Sequence, residues 1–299
     1  MTAANPTPVH PRLSMNQGTI KRSTLDDALR AVADGGYEAI GLWREPVQEV
    51  GLAESARRLA ASGLRFSTLC RAGFFTMEEG PARRAQLDDN RRAIEEAATL
   101  AAAGAPGSAA VLVLVAGAIP EGSRDVIGAR ARAADAIAEL APDASAAGVT
   151  LAIEPLHPMF ASDRCVVTTL KQALDLAEPF APEVVGVTVD TFHIWWDPEV
   201  LPQIARAGAS GRIATYQVCD WKTPLPANVL NSRHYPGDGV IDFATLTRAV
   251  EATGYAGDVE VELFNDDIWA APFDEVVART AETFGAAVGP HLSLPARVS

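Results

Sequence analysis

The sequence predicts an α/β fold in which eight strand–helix units close into a single (β/α)8 barrel. Short apolar runs rich in β-branched residues recur along the chain, and each is followed by a longer stretch whose apolar residues repeat at a helical period. Eight such units in this order fit a closed parallel sheet with an outer ring of helices, at a length of 299 residues against about 250 for that architecture. No linker-like composition divides the chain, so residues 1–299 are expected to form one domain. A doubly wound open sheet is the competing arrangement.

The polar, proline-punctuated start over residues 1–11 reads as a loose tail. The first unit places a strand at 12–15 and a helix at 24–33, with Ser23 to Asp26 as the helix start and Gly35-Gly36 as its stop. The second joins a strand at 39–42 to a helix at 53–61, and the third a strand at 65–69 to a helix at 81–103. The fourth, 110–115 and 123–147, carries an Ala-rich helix suited to close packing on a barrel wall. Gly148 precedes the fifth strand, 149–153, which leads to a helix at 169–178. The sixth unit is 185–189 with 198–207 and the seventh 213–218 with 243–253. Gly254 and Gly257 precede the eighth strand, 259–263, and its helix at 273–288.

Hydrophobic residues make up 48% and charged residues 21% of the chain, enough apolar material for a large core. A net charge of −13 repels nucleic-acid phosphates and anionic lipid, so neither nucleic acid nor a membrane is an expected partner. The cysteines, Cys70, Cys165 and Cys219, are odd in number and lack CxxC spacing, which argues against a disulfide framework and for a reducing, cytoplasmic setting. The first residues lack the basic start and apolar stretch of a secretory leader, and no run approaches the ~18 to 20 apolar residues of a membrane span. A homo-oligomer is expected.

Four apolar runs end in hard oxygen ligands: VTLAIEPLH at Glu154, VGVTVDTFH at Asp190, RIATYQVCD at Gln217 and DVEVELFND at Glu262. Taken singly, each fits an ordinary strand-end role, Asp190 for instance as a helix N-cap. Together, at the C-terminal ends of strands five to eight, they face one mouth of the barrel. Carboxylates gathered there need a metal ion or several Lys/Arg to meet them. The simplest is one divalent metal ion, and a donor set of three carboxylates and an amide favours Mn²⁺ or Mg²⁺, with Co²⁺ as a substitute. Glu260 and Glu262 share parity, so alternation alone leaves both open; the position nearer the mouth favours Glu262, leaving Glu260 as a supporting or ion-paired buried residue.

His193 follows Asp190 by three residues and is a candidate to touch substrate or move a proton. His157 has the same offset from Glu154 and either contacts substrate or braces its loop between two prolines. Arg233 opens the turn-rich stretch RHYPGDGVID, which can bring a guanidinium over the site. The glycines of that stretch could hold an anion with backbone N–H groups, although no nucleotide-binding context accompanies them. Trp195 and Trp196, with Trp43, Phe74, Phe75 and Trp269, are candidates for an apolar wall against a sugar face.

EPLHP at Glu154, VDTFHIWW at Asp190 and His193, QVCDW at Gln217, the stretch from Arg233 through PGDGVIDF, and GYAGDVEVELF at Glu262 together resemble the xylose isomerase-like TIM-barrel superfamily of sugar phosphate isomerases and epimerases. The resemblance implies a metal held by Glu154, Asp190, Gln217 and Glu262, with the two glutamates as acid/base groups on opposite faces of the substrate. It also implies that His193 and Arg233 bind substrate oxygens. Gln217 stands where the ketose epimerases have a histidine and is similar to the hydroxypyruvate isomerase-like branch; His157 stands where the epimerases have an asparagine. The implied activity is isomerisation or epimerisation of a ketose, inosose or small hydroxy-carbonyl compound, a carbohydrate or cyclitol, through an enediolate. Elimination from the same enolate, by a lyase or dehydratase, is the nearest alternative. The DNA-repair endonuclease branch of the same barrel is remote, because strands two and three end in GLWREP and STLCRAG without histidine and the charge is strongly negative.

Overall fold

A computed structural model describes residues 8–294. Eight parallel strands close into a barrel: Leu13–Asn16, Ala39–Trp43, Arg65–Gly73, Val111–Val115, Thr150–Ile153, Val185–Asp190, Ile213–Val218 and Val259–Val261. Each pairs with the next in the chain, and the eighth returns to the first through Leu13 opposite Val259 and Met15 opposite Val261. A (β/α)8 TIM barrel is thus observed, and the open sheet is excluded by that last pairing.

Eight helices in sequence order cover the sheet: Leu25–Asp34, Leu52–Ser62, Pro81–Ala103, Val126–Ala147, Leu170–Ala177, Val200–Ala209, Phe243–Glu251 and Phe273–Ala287. Their apolar spacing explains how they lie. The first buries Leu25, Ala28, Leu29 and Val32, one stripe of a helix, and Thr24 caps it by accepting from the Asp27 N–H at 3.1 Å. The fourth buries a row of alanines at 129, 133, 136, 141 and 144, so its backbone packs close to the barrel. Among the described residues no helix is long and apolar enough to cross a membrane.

Several elements differ from expectation. The third strand continues past residue 69 to Gly73, because Ala72 and Gly73 pair with Leu114 and Val115 of the fourth. A further helix, Arg44–Val50, sits before Leu52–Ser62; Pro46 lies in its first turn, where a missing N–H costs nothing. A two-stranded antiparallel ribbon, Asp220–Trp221 with Arg233–His234, rises after the seventh strand. Of the stretch expected to be a loose tail, residues 1–7 lie outside the described residues; Val9 packs against the core and His10 stacks 5.8 Å from Phe284.

Candidate functional site

The C-terminal ends of strands five to eight bring a group of buried polar side chains together. Glu154 follows the fifth strand directly, and its N–H donates to Leu114 O at 2.9 Å. Asp190 ends the sixth strand and also caps the turn Thr191–Ile194, with Oδ1 accepting from the Phe192 N–H at 2.8 Å. The N-cap role and the site position therefore coexist. That turn carries His193 back over the mouth, where donor atoms of Glu154, Asp190 and His193 all lie within 4.8 Å of one another. His193 Nε2 is 3.9 Å from a carboxylate oxygen of each.

Arg233 opens the second strand of the ribbon and is 2% exposed. Its Nη1 donates to Glu262 Oε2 at 2.6 Å and lies 3.4 Å from Asp190 Oδ2, while its Cζ lies 4.9 and 4.7 Å from the ring centres of Phe192 and Phe264. Glu262 is thus joined to Asp190 through a guanidinium. Arg233 Nη2 also lies 2.9 Å from His193 Nε2, and the other ring nitrogen, Nδ1, accepts from the His157 backbone N–H at 3.1 Å. Burial, reinforced by Arg233, holds His193 well below its usual pKa and therefore neutral. A neutral imidazole has one acceptor nitrogen, so one of those two donors is left without a partner.

The loop that delivers Arg233 is organised by a carboxylate the sequence did not single out. Asp220 accepts N–H bonds from Gly237 and Gly239 on one oxygen at 2.9 and 2.8 Å, and from Ile241 and Trp221 on the other at 3.1 and 2.8 Å. The glycine-rich turn does bind an anion with its backbone, and that anion is internal. Gly237 has φ +93, and a Cβ on Gly239 would come within 2.4 Å of Asp220 Oδ1, so both glycines are needed where they stand.

Gln217 faces Asp190 across one strand pair and Glu260 across the other. Its Nε2 donates to Glu260 Oε1 at 2.9 Å, and its Oε1 is buried with no partner among the described residues. Glu260 further accepts from Asn16 Nδ2 at 2.7 Å, Ser67 Oγ at 2.5 Å and Thr68 Oγ1 at 2.9 Å. The expected ion pair of Glu260 is therefore replaced by neutral donors, three of which come from strands one and three. Gly41 makes room for this carboxylate, since a Cβ there would lie 2.2 Å from it.

Glu154, Asp190 and Glu262 are 6%, 0% and 5% exposed, and among the described residues Arg233, which pairs with Asp190 and Glu262, is the one Lys or Arg in ionic contact with them. Burial, with the charges of Asp190 and Glu262, pushes the Glu154 carboxyl well above its usual range; burial, against the pull of Arg233, raises Asp190 to about 6. The cluster is short of positive charge and holds an orphaned amide oxygen. Both features fit one further cation with hard oxygen donors, for which Glu154, Asp190, Gln217 and Glu262 have the right chemistry and His193 is in reach.

A cavity of about 110 Å³ opens above these residues, lined by Glu154, His193, Arg233 and Glu262 and walled by Trp43, Phe74, Leu230 and Phe264. His157 and Trp195 do not line it. They belong to a ring cluster beside it, with Trp221 4.9 and 5.5 Å away respectively. Phe75 is wholly core, and Trp269 packs behind Phe264. The cavity wall also holds Arg71 and Arg164, which the sequence did not mark because neither lies in the second-half motifs.

The profile described as "Xylose isomerase-like TIM barrel" matches residues 29–284. An inosose isomerase of Bacillus velezensis is 28% identical over 160 residues, 53% of this chain and 55% of the relative. A 3-dehydroshikimate dehydratase of Pseudomonas aeruginosa is 30% identical over 258 residues, covering 83% of this chain and 37% of the relative. The chain thus spans about half the length of the inosose isomerase and less of the dehydratase. A crystal structure of a protein from Sinorhizobium meliloti 1021 superposes with a TM-score of 0.87 at 44% identity, over 93% of this chain and 98% of that one. With a closed barrel, a carboxylate cluster at its C-terminal mouth and a family profile over most of its length, the chain belongs to the xylose isomerase-like TIM-barrel family.

Proposed function

We propose that the chain is a divalent-metal-dependent isomerase or epimerase of a small hydroxy-carbonyl compound, of the ketose or inosose kind, working through an enediolate. The observation that carries this reading is the buried cluster of Glu154, Asp190 and Glu262, which among the described residues has one guanidinium, that of Arg233, and an unpartnered Gln217 Oε1 beside it. Glu154, Asp190, Gln217 and Glu262 would hold the ion, and the oxygen donors favour Mn²⁺, with Mg²⁺ or Co²⁺ able to replace it. When bound, the metal supplies Lewis-acid polarisation of the carbonyl and charge for the enediolate.

The rest falls to the chain. Glu154 and Glu262 act as the acid/base pair: one removes the proton α to the carbonyl, and the other returns a proton to the opposite face or the neighbouring carbon. Neutral His193, oriented by the His157 N–H, hydrogen-bonds a substrate oxygen, and Arg233 stabilises developing negative charge. His157 and Trp195 act by holding that wall of the site. The apolar rings of Trp43, Phe74 and Phe264 exclude water from the enediolate.

A second reading, elimination from the same enediolate by a dehydratase, is favoured by one observation: the similarity to the 3-dehydroshikimate dehydratase runs over 83% of this chain, against 53% for the inosose isomerase. The small molecule, not DNA, is the expected partner in either case, given the net charge of −13.

With Mn²⁺-loaded protein in D₂O, deuterium is expected to enter the carbon next to the carbonyl of an accepted ketose or inosose, and Glu154→Gln or Glu262→Gln should lower that exchange by at least about 10³-fold. Undiminished exchange in both variants would remove the glutamates from the mechanism. NMR of the product separates the two readings, because an isomer retains the atoms of the substrate and elimination releases water.

A further inference from the structure

The cavity carries more positive charge than the carboxylate cluster uses. Arg71 lines it, and its guanidinium stacks 5.0 Å from the Trp43 ring and 5.3 Å from the Phe74 ring. Among the described residues no carboxylate pairs with it. Arg164 lines the same cavity from the loop after the fifth strand; its ionic partner is the adjacent Asp163, at 3.9 Å, and its Nε is buried without a hydrogen-bond partner among the described residues. A guanidinium such as that of Arg71, with free N–H edges and aromatic rings beside it, suits the paired oxygens of a carboxylate or phosphate.

The segment holding Arg71 is built with some care. Phe74, which forms half of the aromatic clamp, has φ +58, a conformation that a bulky residue adopts only when its surroundings impose it. They do: Phe74 N–H donates to Val115 O at 2.8 Å, and buried Asn90 closes a ring on Gly73, accepting its N–H at 2.7 Å and donating to its carbonyl at 2.9 Å. Gln86 donates to the same carbonyl. Gly73 itself has φ +109, and a Cβ there would meet Val115 O at 2.0 Å. A strained corner fixed by buried amides thus presents Phe74, and with it Arg71, to the cavity.

We propose that the compound this cavity takes carries an oxyanion group, a carboxylate or a phosphate, bound by Arg71 with Arg164 as a second donor, while its hydroxy-carbonyl end reaches the carboxylate cluster. This deepens the proposed function and rests on it for the second half of that statement. It distinguishes an acidic keto compound or a sugar phosphate from a neutral ketose or inosose.

The test uses three probes that share one hydroxy-carbonyl unit: dihydroxyacetone, neutral; hydroxypyruvate, a carboxylate; and dihydroxyacetone phosphate. Binding to the full-length, Mn²⁺-loaded protein is measured by calorimetry. At least one anionic probe should bind about tenfold or more tighter than dihydroxyacetone, and whether it is hydroxypyruvate or the phosphate identifies the anion. Arg71→Gln should erase that advantage and leave dihydroxyacetone binding unchanged; should that variant not fold, Arg164→Gln carries the same expectation in reduced degree. Equal binding of neutral and anionic probes, an advantage that survives in the variants, or no saturable binding of either anion overturns the assignment. Repeating the titrations after chelation separates the two readings, since metal independence counts against the proposed enzyme and leaves a preference that depends on Arg71 standing.

Discussion

Glu260 shows how much of a site a single residue's parity can convey. Alternation placed Glu260 and Glu262 on one face, and depth separated them: Glu262 reaches Arg233 at the mouth, whereas Glu260 lies one layer down among Asn16, Ser67, Thr68 and Gln217. The depth was legible in the sequence. The partners were not, because three of them come from strands one and three, far away in the chain. Their chemistry makes a prediction about rank. Ser67 and Thr68 hydroxyls can reverse to accept from an amide, so Glu260→Gln should cost little, about 1 kcal/mol, whereas Glu260→Leu strands all four donors and should cost about 3 kcal/mol or more. Denaturant midpoints of the two variants check the order; equal losses would mean that the donors have other partners.

At the scale of elements, the loop after strand seven behaves differently. Asp220 accepts two backbone N–H groups on each oxygen, and a backbone N–H cannot turn round. Asp220→Asn must therefore set its NH₂ against two donors, costing about 1–3 kcal/mol and loosening the loop that carries Arg233. Amide hydrogen exchange at residues 237–241 should quicken in that variant while the barrel strands keep their protection; unchanged exchange would deny Asp220 its organising part. The sequence showed a turn able to hold an anion but not which one, since Asp220 sits two residues past the end of a strand and looks like any polar loop residue. The third strand was underread for a related reason. Its extension to Gly73 depends on pairing with the fourth strand, not on apolar content, and that extension is what brings Arg71 to the cavity.

For the whole molecule, the number and order of strand–helix units were legible because each unit declares itself locally. Closure followed from the count of eight units, but the register of its seam did not, because it rests on Leu13 and Val259 meeting from opposite ends of the sequence. A clasp at the same seam joins the ends: Arg12, 4% exposed, donates to Glu251 Oε1 at 2.6 Å and to the carbonyls of Gly257 and Tyr255 at 2.9 Å each. Burial disfavours the Glu251 charge, but the Ser293 N–H and Arg12 outweigh it and hold the carboxyl below its usual range. A carboxyl lowered on folding adds stability above its unfolded pKa and loses it as the pH falls through the folded value. Glu251→Gln should therefore destabilise the protein at pH 7, by about 1–3 kcal/mol, and the gap from the unaltered chain should narrow as the pH drops below about 4. A gap that stays constant with pH would place the stabilisation outside the charge. The mouth at the other end of the barrel holds the central claim, that Glu154, Asp190, Gln217 and Glu262 share one divalent ion. Titrating metal-stripped protein with Mn²⁺ by calorimetry tests it most directly: one ion per chain is expected, with affinity falling by at least about tenfold in Asp190→Asn, whereas no stoichiometric binding, or equal affinity in that variant, would contradict it.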